Sequence, residues 1–310
     1  MKEPIFTGSG TAIITPFTTD TIDYPALGRL LNFQLENGTD AIIVCGTTGE
    51  AATMSYVERM RAIEYTVRNV DGKVPVIAGT GSNNTENAIT LSKDAALAGV
   101  DGLLVVTPFY NKATQTGLVR HFEAIANAVN LPVITYDVPS RTGVTIAPET
   151  YAQLSVHPNI IGTKEASGSF AQIQKTRELC GEGFYIWSGN DEDTAAICML
   201  GGSGVISVAA NLIPKEMHEL TAACRRNDFA AAGRMQLRIR KLCEVLFCEV
   251  NPIPVKTALY LMGYCENILR LPLCEMSAPN RLRLQETLKE YGLLEGGAAR
   301  SPRKRAGNGN

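Results

Sequence analysis

The chain has 310 residues, 45% hydrophobic and 19% charged, and its 31 acidic and 29 basic side chains give a formal charge of -2. This length holds one large domain or two smaller ones, and the composition excludes wholesale disorder. So balanced a charge offers no phosphate-neutralising surface, and no nucleic-acid partner is expected. No apolar run approaches the roughly 18 residues of a membrane-spanning helix. The opening Met1-Lys2-Glu3-Pro4 leads only to the short stretch Thr11–Thr15, so neither membrane nor secretory signal is expected, and a cytoplasmic location is. None of the cysteines forms a Cys-x-x-Cys pair, which reads as free buried thiols. His121, His157 and His218 lie far apart without ligand spacing, so no metal site is expected.

Along the chain, short β-branched runs recur at Thr11–Thr15, Ala41–Val44, Val74–Ala78, Gly102–Val106, Pro132–Tyr136, Asn159–Thr163, Phe184–Trp187 and Gly204–Val208. They are continuous rather than alternating, as parallel strands covered on both faces are. Helical spacing separates them: Leu27, Leu30, Leu31 and Leu35 make one stripe. Capping chemistry opens several helices, at Thr85 before Glu86 and at Asn190-Asp191. Eight β-then-α units predict an α/β fold, a (β/α)8 TIM barrel over 1–227. An open doubly wound sheet would want a Gly-x-Gly-x-x-Gly turn after its first strand, where Pro16-Phe17-Thr18 stands instead. The eighth helix is predicted from Pro214 to about Arg225. Helical spacing at Met235, Ile239, Leu242, Val245 and Leu246, then Leu282 to Leu288, predicts a C-terminal helical extension over 228–295. The remainder, 296–310, is expected to be a disordered tail in which Arg303-Lys304-Arg305 is a solvated charge run.

A barrel of this kind carries its chemistry at the carboxyl ends of its strands. Strand two ends in Gly46-Thr47-Thr48-Gly49-Glu50, which either cradles a small anion or makes a tight turn with a helix cap. Strand six ends in Lys164-Glu165. By period-two alternation Lys164 shares a face with Gly162 and Ile160. A lysine desolvated in a barrel mouth is a neutral amine, nucleophilic toward carbonyl carbon. The alternative is a lysine whose head reaches solvent or pairs with Glu165 or Asp137. Tyr110 and Tyr136 fall at the ends of strands four and five, where Thr47 would bridge them as a proton relay; taken singly, each is more often a rim residue with a satisfied hydroxyl. Arg141, after strand five, suits a carboxylate. Gly201-Gly202-Ser203-Gly204 precedes strand eight, at the wrong end of the barrel for a phosphate site, which points to carboxylate and carbonyl substrates.

Seven motifs occur in order: Gly46-Thr47-Thr48-Gly49-Glu50; Pro75-Val76-Ile77-Ala78-Gly79-Thr80-Gly81; Thr107-Pro108-Phe109-Tyr110-Asn111; Tyr136-Asp137-Val138-Pro139-Ser140-Arg141-Thr142-Gly143; Gly162-Thr163-Lys164-Glu165-Ala166-Ser167-Gly168; Gly204-Val205-Ile206-Ser207-Val208; and Asn251-Pro252-Ile253-Pro254-Val255-Lys256. On these the chain, from about Phe6 to Leu294, resembles the dihydrodipicolinate synthase family of pyruvate-dependent class I lyases and aldolases. The resemblance implies a Lys164 Schiff base with pyruvate, Tyr136 as proton donor and acceptor, and Thr47 and Tyr110 completing a hydroxyl relay, Tyr110 crossing from a neighbouring subunit. It implies pyruvate contacts at Thr48 and Ile206, a carboxylate clamp at Arg141 and a substrate-side turn at Gly189. The implied reaction joins pyruvate and L-aspartate-4-semialdehyde into 4-hydroxy-tetrahydrodipicolinate and water, the entry to diaminopimelate and lysine, without cofactor, in a homotetramer built as a dimer of dimers. A relative such as N-acetylneuraminate lyase, or a barrel that only binds pyruvate, is the alternative; Arg141 and Tyr110 favour the synthase. Asp137 stands where asparagine is commoner. Arg59 and Asn87, with Tyr56 and Phe109, occupy the positions of the family's lysine-feedback cleft, and lysine feedback is expected to be weak or absent, because Arg59 puts a cation where lysine's own would go.

Overall fold

Eight short runs of buried residues form the strands: β1 (Gly8–Ala12), β2 (Ala41–Val44), β3 (Val76–Gly79), β4 (Gly102–Val106), β5 (Val133–Asp137), β6 (Ile160–Glu165), β7 (Tyr185–Ser188) and β8 (Gly204–Ser207). In this computed structural model, which describes residues 2–294, they pair in parallel and in sequence order, with β8 closing on β1 into a barrel. The helices between them are α1 (Tyr24–Glu36), α2 (Tyr56–Val70), α3 (Thr85–Leu97), α4 (Gln115–Asn127), the pair α5 (Pro139–Thr142) and α6 (Pro148–Leu154), α7 (Phe170–Cys180), α8 (Thr194–Met199) and α9 (Pro214–Arg225). Three more follow: α10 (Phe229–Leu246), α11 (Ile253–Leu261) and α12 (Ala278–Glu290). The expected tail over 296–310, with Arg303-Lys304-Arg305, lies outside the described residues. Among those described, no helix is long and apolar enough to cross a membrane, and all eight cysteines are free thiols.

Local chemistry accounts for the elements. The Asp23 carboxylate caps α1 by accepting from the Ala26 N–H at 2.9 Å. The predicted stripe Leu27, Leu30 and Leu31 is buried against the barrel, each side chain contributing about 1.5–3 kcal/mol. Ser55 and Glu58 form a capping box at the start of α2. The α3 cap is Asn84, which accepts from the Asn87 N–H, and not Thr85, which is already helical. Asn190 opens a 3-10 turn over Asp191–Asp193, and α8 begins only after it.

β2 and β4 match the expected runs and the other six strands are shifted at one end or both, two of them in ways that shape the barrel. β1 starts at Gly8 rather than Thr11, because the barrel needs small residues there: a side chain at Gly10 would meet Ile43 at 2.7 Å and the Phe6 ring at 2.8 Å. Phe6 closes this amino end, stacked on Trp187 with ring centroids 5.3 Å apart. β6 runs to Glu165 rather than Thr163, and it contains an extra residue. Val133 pairs with Ile160, but Ile134 already pairs with Gly162, so Ile161 is inserted between them. Ile160 therefore packs in the outer layer against the helices, whereas Ile161 points into the barrel. The expected sharing of one face by Ile160 and Lys164 does not occur. Gly162 remains inward, where a side chain would collide with the Tyr185 carbonyl of β7.

The C-terminal helices reach back to the barrel mouth. Lys256 of α11, fully buried, places its Nζ 2.5 Å from Oε1 of the equally buried Glu50 and 4.1 Å from the centroid of the Phe17 ring. The Arg270 N–H donates to the other Glu50 oxygen at 3.2 Å, while its guanidinium grips Glu58. Lys256→Met would strand the Glu50 carboxylate in the interior, and unfolding in denaturant should show a loss of about 3–5 kcal/mol. Adding Glu50→Gln removes that charge while keeping an acceptor for Arg270, so the double variant should regain most of the loss; a double variant no more stable than Lys256→Met would show that the pair is not the anchor.

Candidate active site at the carboxyl mouth of the barrel

Tyr136 of β5 and Lys164 of β6 are paired directly across the sheet, and Lys164 pairs in turn with Trp187 of β7. Both Tyr136 and Lys164 point inward at the carboxyl end, with Nζ 4.4 Å from the centre of the Tyr136 ring. Lys164 is 5% exposed, and burial pushes its pKa down to about 8, the Asp191 charge opposing the shift and the Arg141 charge adding to it. No salt bridge or hydrogen bond engages Nζ among the described residues. About a tenth of the amine is then neutral at pH 7, against well under a thousandth for an ordinary lysine.

The pairing of Lys164 with Glu165 or Asp137 does not occur, because both acids face the other side of the sheet. Asp137 accepts from the Thr145 hydroxyl at 2.6 Å and from the Ile146 N–H at 3.1 Å, and Glu165 accepts from the Ser167 N–H at 2.6 Å. Burial pushes Glu165 up to about 7 and raises Asp137 as well. Tyr136 is pushed up to about 12 by burial, against the pull of the Arg141 charge and the Thr47 side chain, and so is a protonated phenol at neutral pH.

The Gly46–Glu50 segment after β2 is a tight turn in which the Gly49 N–H donates to the Gly46 carbonyl and the Glu50 N–H to that of Thr47. The Thr15 hydroxyl ties the Gly49 carbonyl at 2.7 Å. Asn251 Nδ2 donates to Thr48 Oγ1 at 3.1 Å, which leaves the Thr48 hydrogen free for a ligand. Arg141, on the short α5, donates to the Asn251 carbonyl at 3.4 Å. After β7 the backbone of Gly189 runs so close to the nucleophile that a side chain would lie 3.2 Å from Lys164 Cε and 2.8 Å from Ala166 Cβ.

Together Lys164, Tyr136, Thr47, Thr48, Arg141 and Gly189 line a chamber of about 150 Å³. A larger cavity of about 580 Å³ shares Thr47, Tyr136 and Arg141 and continues past Arg59, Ser82 and Phe109. Two sequence-predicted site residues stand apart. Ile206 is packed inside the barrel beneath the mouth and lines neither cavity. Tyr110, after β4, is 90% exposed with φ 71° and also lines neither, so it does not join Thr47 and Tyr136 within its own chain. Of the four positions grouped as a feedback cleft, Arg59 and Phe109 line the larger cavity, whereas Asn87 and Tyr56 do not. Arg59 donates to the Gly79 carbonyl at 2.8 Å, and burial lowers its pKa.

Sequence reasoning missed Asp191, read only as a capping residue, and gave no role to Asn251 or Lys256. All three are buried polar residues at the mouth. The Asn251–Lys256 motif was visible, but its distance from the strands concealed what it touches.

A parallel eight-stranded barrel with a dehydrated lysine and a phenol facing each other at its carboxyl mouth defines a barrel enzyme equipped for carbonyl chemistry. The model of the dihydrodipicolinate synthetase family matches residues 5–291. The 4-hydroxy-tetrahydrodipicolinate synthase of Thermoanaerobacter sp. (strain X514) is 52% identical over 293 residues, covering 94% of this chain and 99% of that protein. The crystal structure of the dihydrodipicolinate synthase from Thermotoga maritima superposes with a TM-score of 0.92 at 45% identity, over 94% of this chain and 100% of that one. The chloride-inhibited dihydrodipicolinate synthase from Acinetobacter baumannii, solved in complex with pyruvate, is 42% identical with a TM-score of 0.91, over 93% and 99% of the two chains. The chain belongs to the dihydrodipicolinate synthetase family.

Because only the unprotonated amine reacts, modification of Lys164 by a small amine-directed reagent, followed by peptide mass spectrometry, should rise with pH through about 8. A rise delayed to the ordinary lysine value of 10.5 would mean that the ammonium remains hydrated.

Proposed function

We infer that this chain is a lyase that condenses pyruvate with L-aspartate-4-semialdehyde, giving 4-hydroxy-tetrahydrodipicolinate and water in diaminopimelate and lysine biosynthesis (EC 4.3.3.7). Identity of 52% across almost the whole of a relative bearing that enzyme's name supports the reaction. The observation that carries the mechanism is Lys164, buried, without an ion-pair partner among the described residues and facing the Tyr136 ring.

In the proposed sequence, the Nζ lone pair adds to the keto carbon of pyruvate. Tyr136 delivers a proton to the carbonyl oxygen and takes one from the nitrogen; passed on to the new hydroxyl, that proton lets it leave as water, giving a protonated imine and the Tyr136 phenolate. Loss of a methyl proton to that phenolate yields an enamine, whose carbon attacks the aldehyde; the second substrate's own amine then bonds to the imine carbon as the ring closes, and the C–N bond to Nζ breaks to return free Lys164. Thr47 hands protons to and from Tyr136, and Thr48 offers its free hydroxyl hydrogen to the keto-acid carboxylate. Arg141 holds the second substrate's carboxylate, while Gly189 leaves space beside the adduct and Ile206 contributes through its backbone at the end of β8. Tyr110 completes the relay from a neighbouring subunit; its exposure and its position outside its own chamber support that reading. The proposed assembly is the homotetramer, a dimer of dimers, that the family resemblance implies, and it supplies such a neighbour.

The proposed units are a catalytic barrel over 1–227 and a helical unit over 228–295, a division supported by the end of α9 at Arg225 and the start of α10 at Phe229. A cytoplasmic place is supported by the free thiols, which a reducing compartment preserves. L-Lysine is proposed to inhibit weakly or not at all. The larger cavity presents the Arg59 cation, and its lining carboxylate, Glu50, is already bonded to Lys256.

Borohydride added with pyruvate should inactivate the protein and leave a pyruvate-derived mass on the Lys164 peptide. Tyr136→Phe should lower kcat about 10²-fold or more while the protein stays folded. An unmodified Lys164 peptide would remove the imine, and near-normal turnover in Tyr136→Phe would remove the relay. Pyruvate offered with aspartate semialdehyde, beside pyruvate with N-acetylmannosamine, tests the acceptor. For feedback, L-lysine titrated to about millimolar concentration should leave the rate nearly unchanged, since a like charge meets its ammonium group; strong inhibition below that range would contradict this.

A further inference from the structure

Asp191 is the buried acid closest in role to the reacting lysine, and the mechanism above leaves it unused. It is 2% exposed and follows directly on Gly189 and Asn190, which line the Lys164 chamber. Its Oδ2 accepts the N–H groups of Val208 at 3.1 Å and Ala209 at 2.8 Å, and Val208 lines the same chamber from the end of β8. The carboxylate is thus clamped between two walls of the site. Burial raises its pKa, and the two N–H donors and the Lys164 charge oppose that rise. Oδ1 is buried and has no hydrogen-bond partner among the described residues. An unpaired carboxylate oxygen in the interior is costly unless a cation answers it at some stage of the working cycle.

We propose that Asp191 is the counter-ion of the protonated imine that forms on Lys164, a positioning residue that stays ionised and gives up no proton. The proposal rests on the imine reading above. During the reaction the C–N bond forms at the keto carbon, the C–O bond breaks as water leaves, and a full positive charge stays on the nitrogen until the methyl proton is lost. Asp191 supplies the opposite charge without occupying the space that the second substrate needs. The charged and titratable groups that act on Lys164 are the Tyr136 ring from β5 at 4.4 Å and, through their charges, Arg141 from α5 and Asp191 from the turn after β7. Those that act on Asp191 are Lys164 and, from α10, the Cys243 thiol, which burial pushes up beyond the neutral range. The same negative charge opposes the dehydration of the resting amine. Asp191 therefore slows the nucleophile slightly in order to hold the adduct.

Those two effects separate in Asp191→Asn, which keeps an oxygen for the Val208 and Ala209 N–H groups. The pH midpoint for modification of Lys164 should fall by about one unit, so attack is faster at low pH. At a pH well above 8, where the resting amine is neutral and only the adduct carries charge, the equilibrium yield of borohydride-trappable imine at limiting pyruvate should drop about tenfold, because one unit of pKa is one decade of cation stability. A merely structural acid would weaken both together with the midpoint unmoved, and that result would overturn the proposal. So would an unchanged imine yield. If the variant does not fold, nitrogen NMR of wild-type enzyme labelled at lysine Nζ and loaded with pyruvate decides: the imine nitrogen should stay protonated across the neutral range, and a nitrogen that deprotonates within it overturns the counter-ion. Wild-type enzyme that traps no pyruvate at all would instead defeat the imine reading itself.

Discussion

The site depends on keeping one ammonium group away from water without giving it a partner at hydrogen-bond distance. Lys164 sits at the end of a strand whose two neighbours present a tyrosine ring and a tryptophan at the same level. The cost of burying its charge appears as a weaker hold on the proton, which makes the amine nucleophilic near neutral pH. A neighbouring carboxylate bonded to Nζ would undo this. The two acids closest in sequence, Asp137 and Glu165, are kept from doing so by strand geometry: successive residues face opposite sides, and theirs is the outer one. There they are held by Thr145, Ile146, Gln172 and Ser167 instead.

A strand end is a poor place for rigidity, since its last residues lack pairing beyond the sheet. The C-terminal helices supply it. Lys256 enters beneath the Gly46–Glu50 turn and bonds to Glu50, whose φ of 54° is a left-handed conformation that side chains seldom adopt. Asn251, one turn earlier, holds Thr48 and receives Arg141. Two residues proposed to hold substrate are thus oriented by a segment about 200 positions away for Thr48 and 110 for Arg141. That explains why the helical extension belongs to the working enzyme and not to its decoration.

Electrostatics at the mouth is a balance between two opposing neighbours. Arg141 depresses the lysine pKa further, and Asp191 lifts it. Neither dominates burial, the largest cause. The resting enzyme keeps a usable fraction of free amine, and the cationic adduct still meets a negative charge.

The strand runs, the helical stripe at Leu27, Leu30 and Leu31, and the eight-unit order were legible in the sequence because periodicity and burial are local properties. So was the candidate chemistry: a lysine and a tyrosine at strand ends, a threonine pair between glycines, an arginine after strand five. The start of β1 was not legible, since Gly8, Ser9 and Gly10 carry no apolar signal, and the two glycines are selected by crowding, Gly10 by Phe6 and Ile43 and Gly8 by Asp40 and Arg225. Nor was the inserted Ile161, because a bulge is a property of two paired strands and leaves no mark in either alone. The placements of Asp191, Asn251 and Lys256 required the closed barrel and the returning helices, for they meet the site only across space. Residue type and order thus determined which groups were available to react; which of them share a dehydrated chamber, and which are turned away from it, was decided by strand pairing and by long-range packing that removes water.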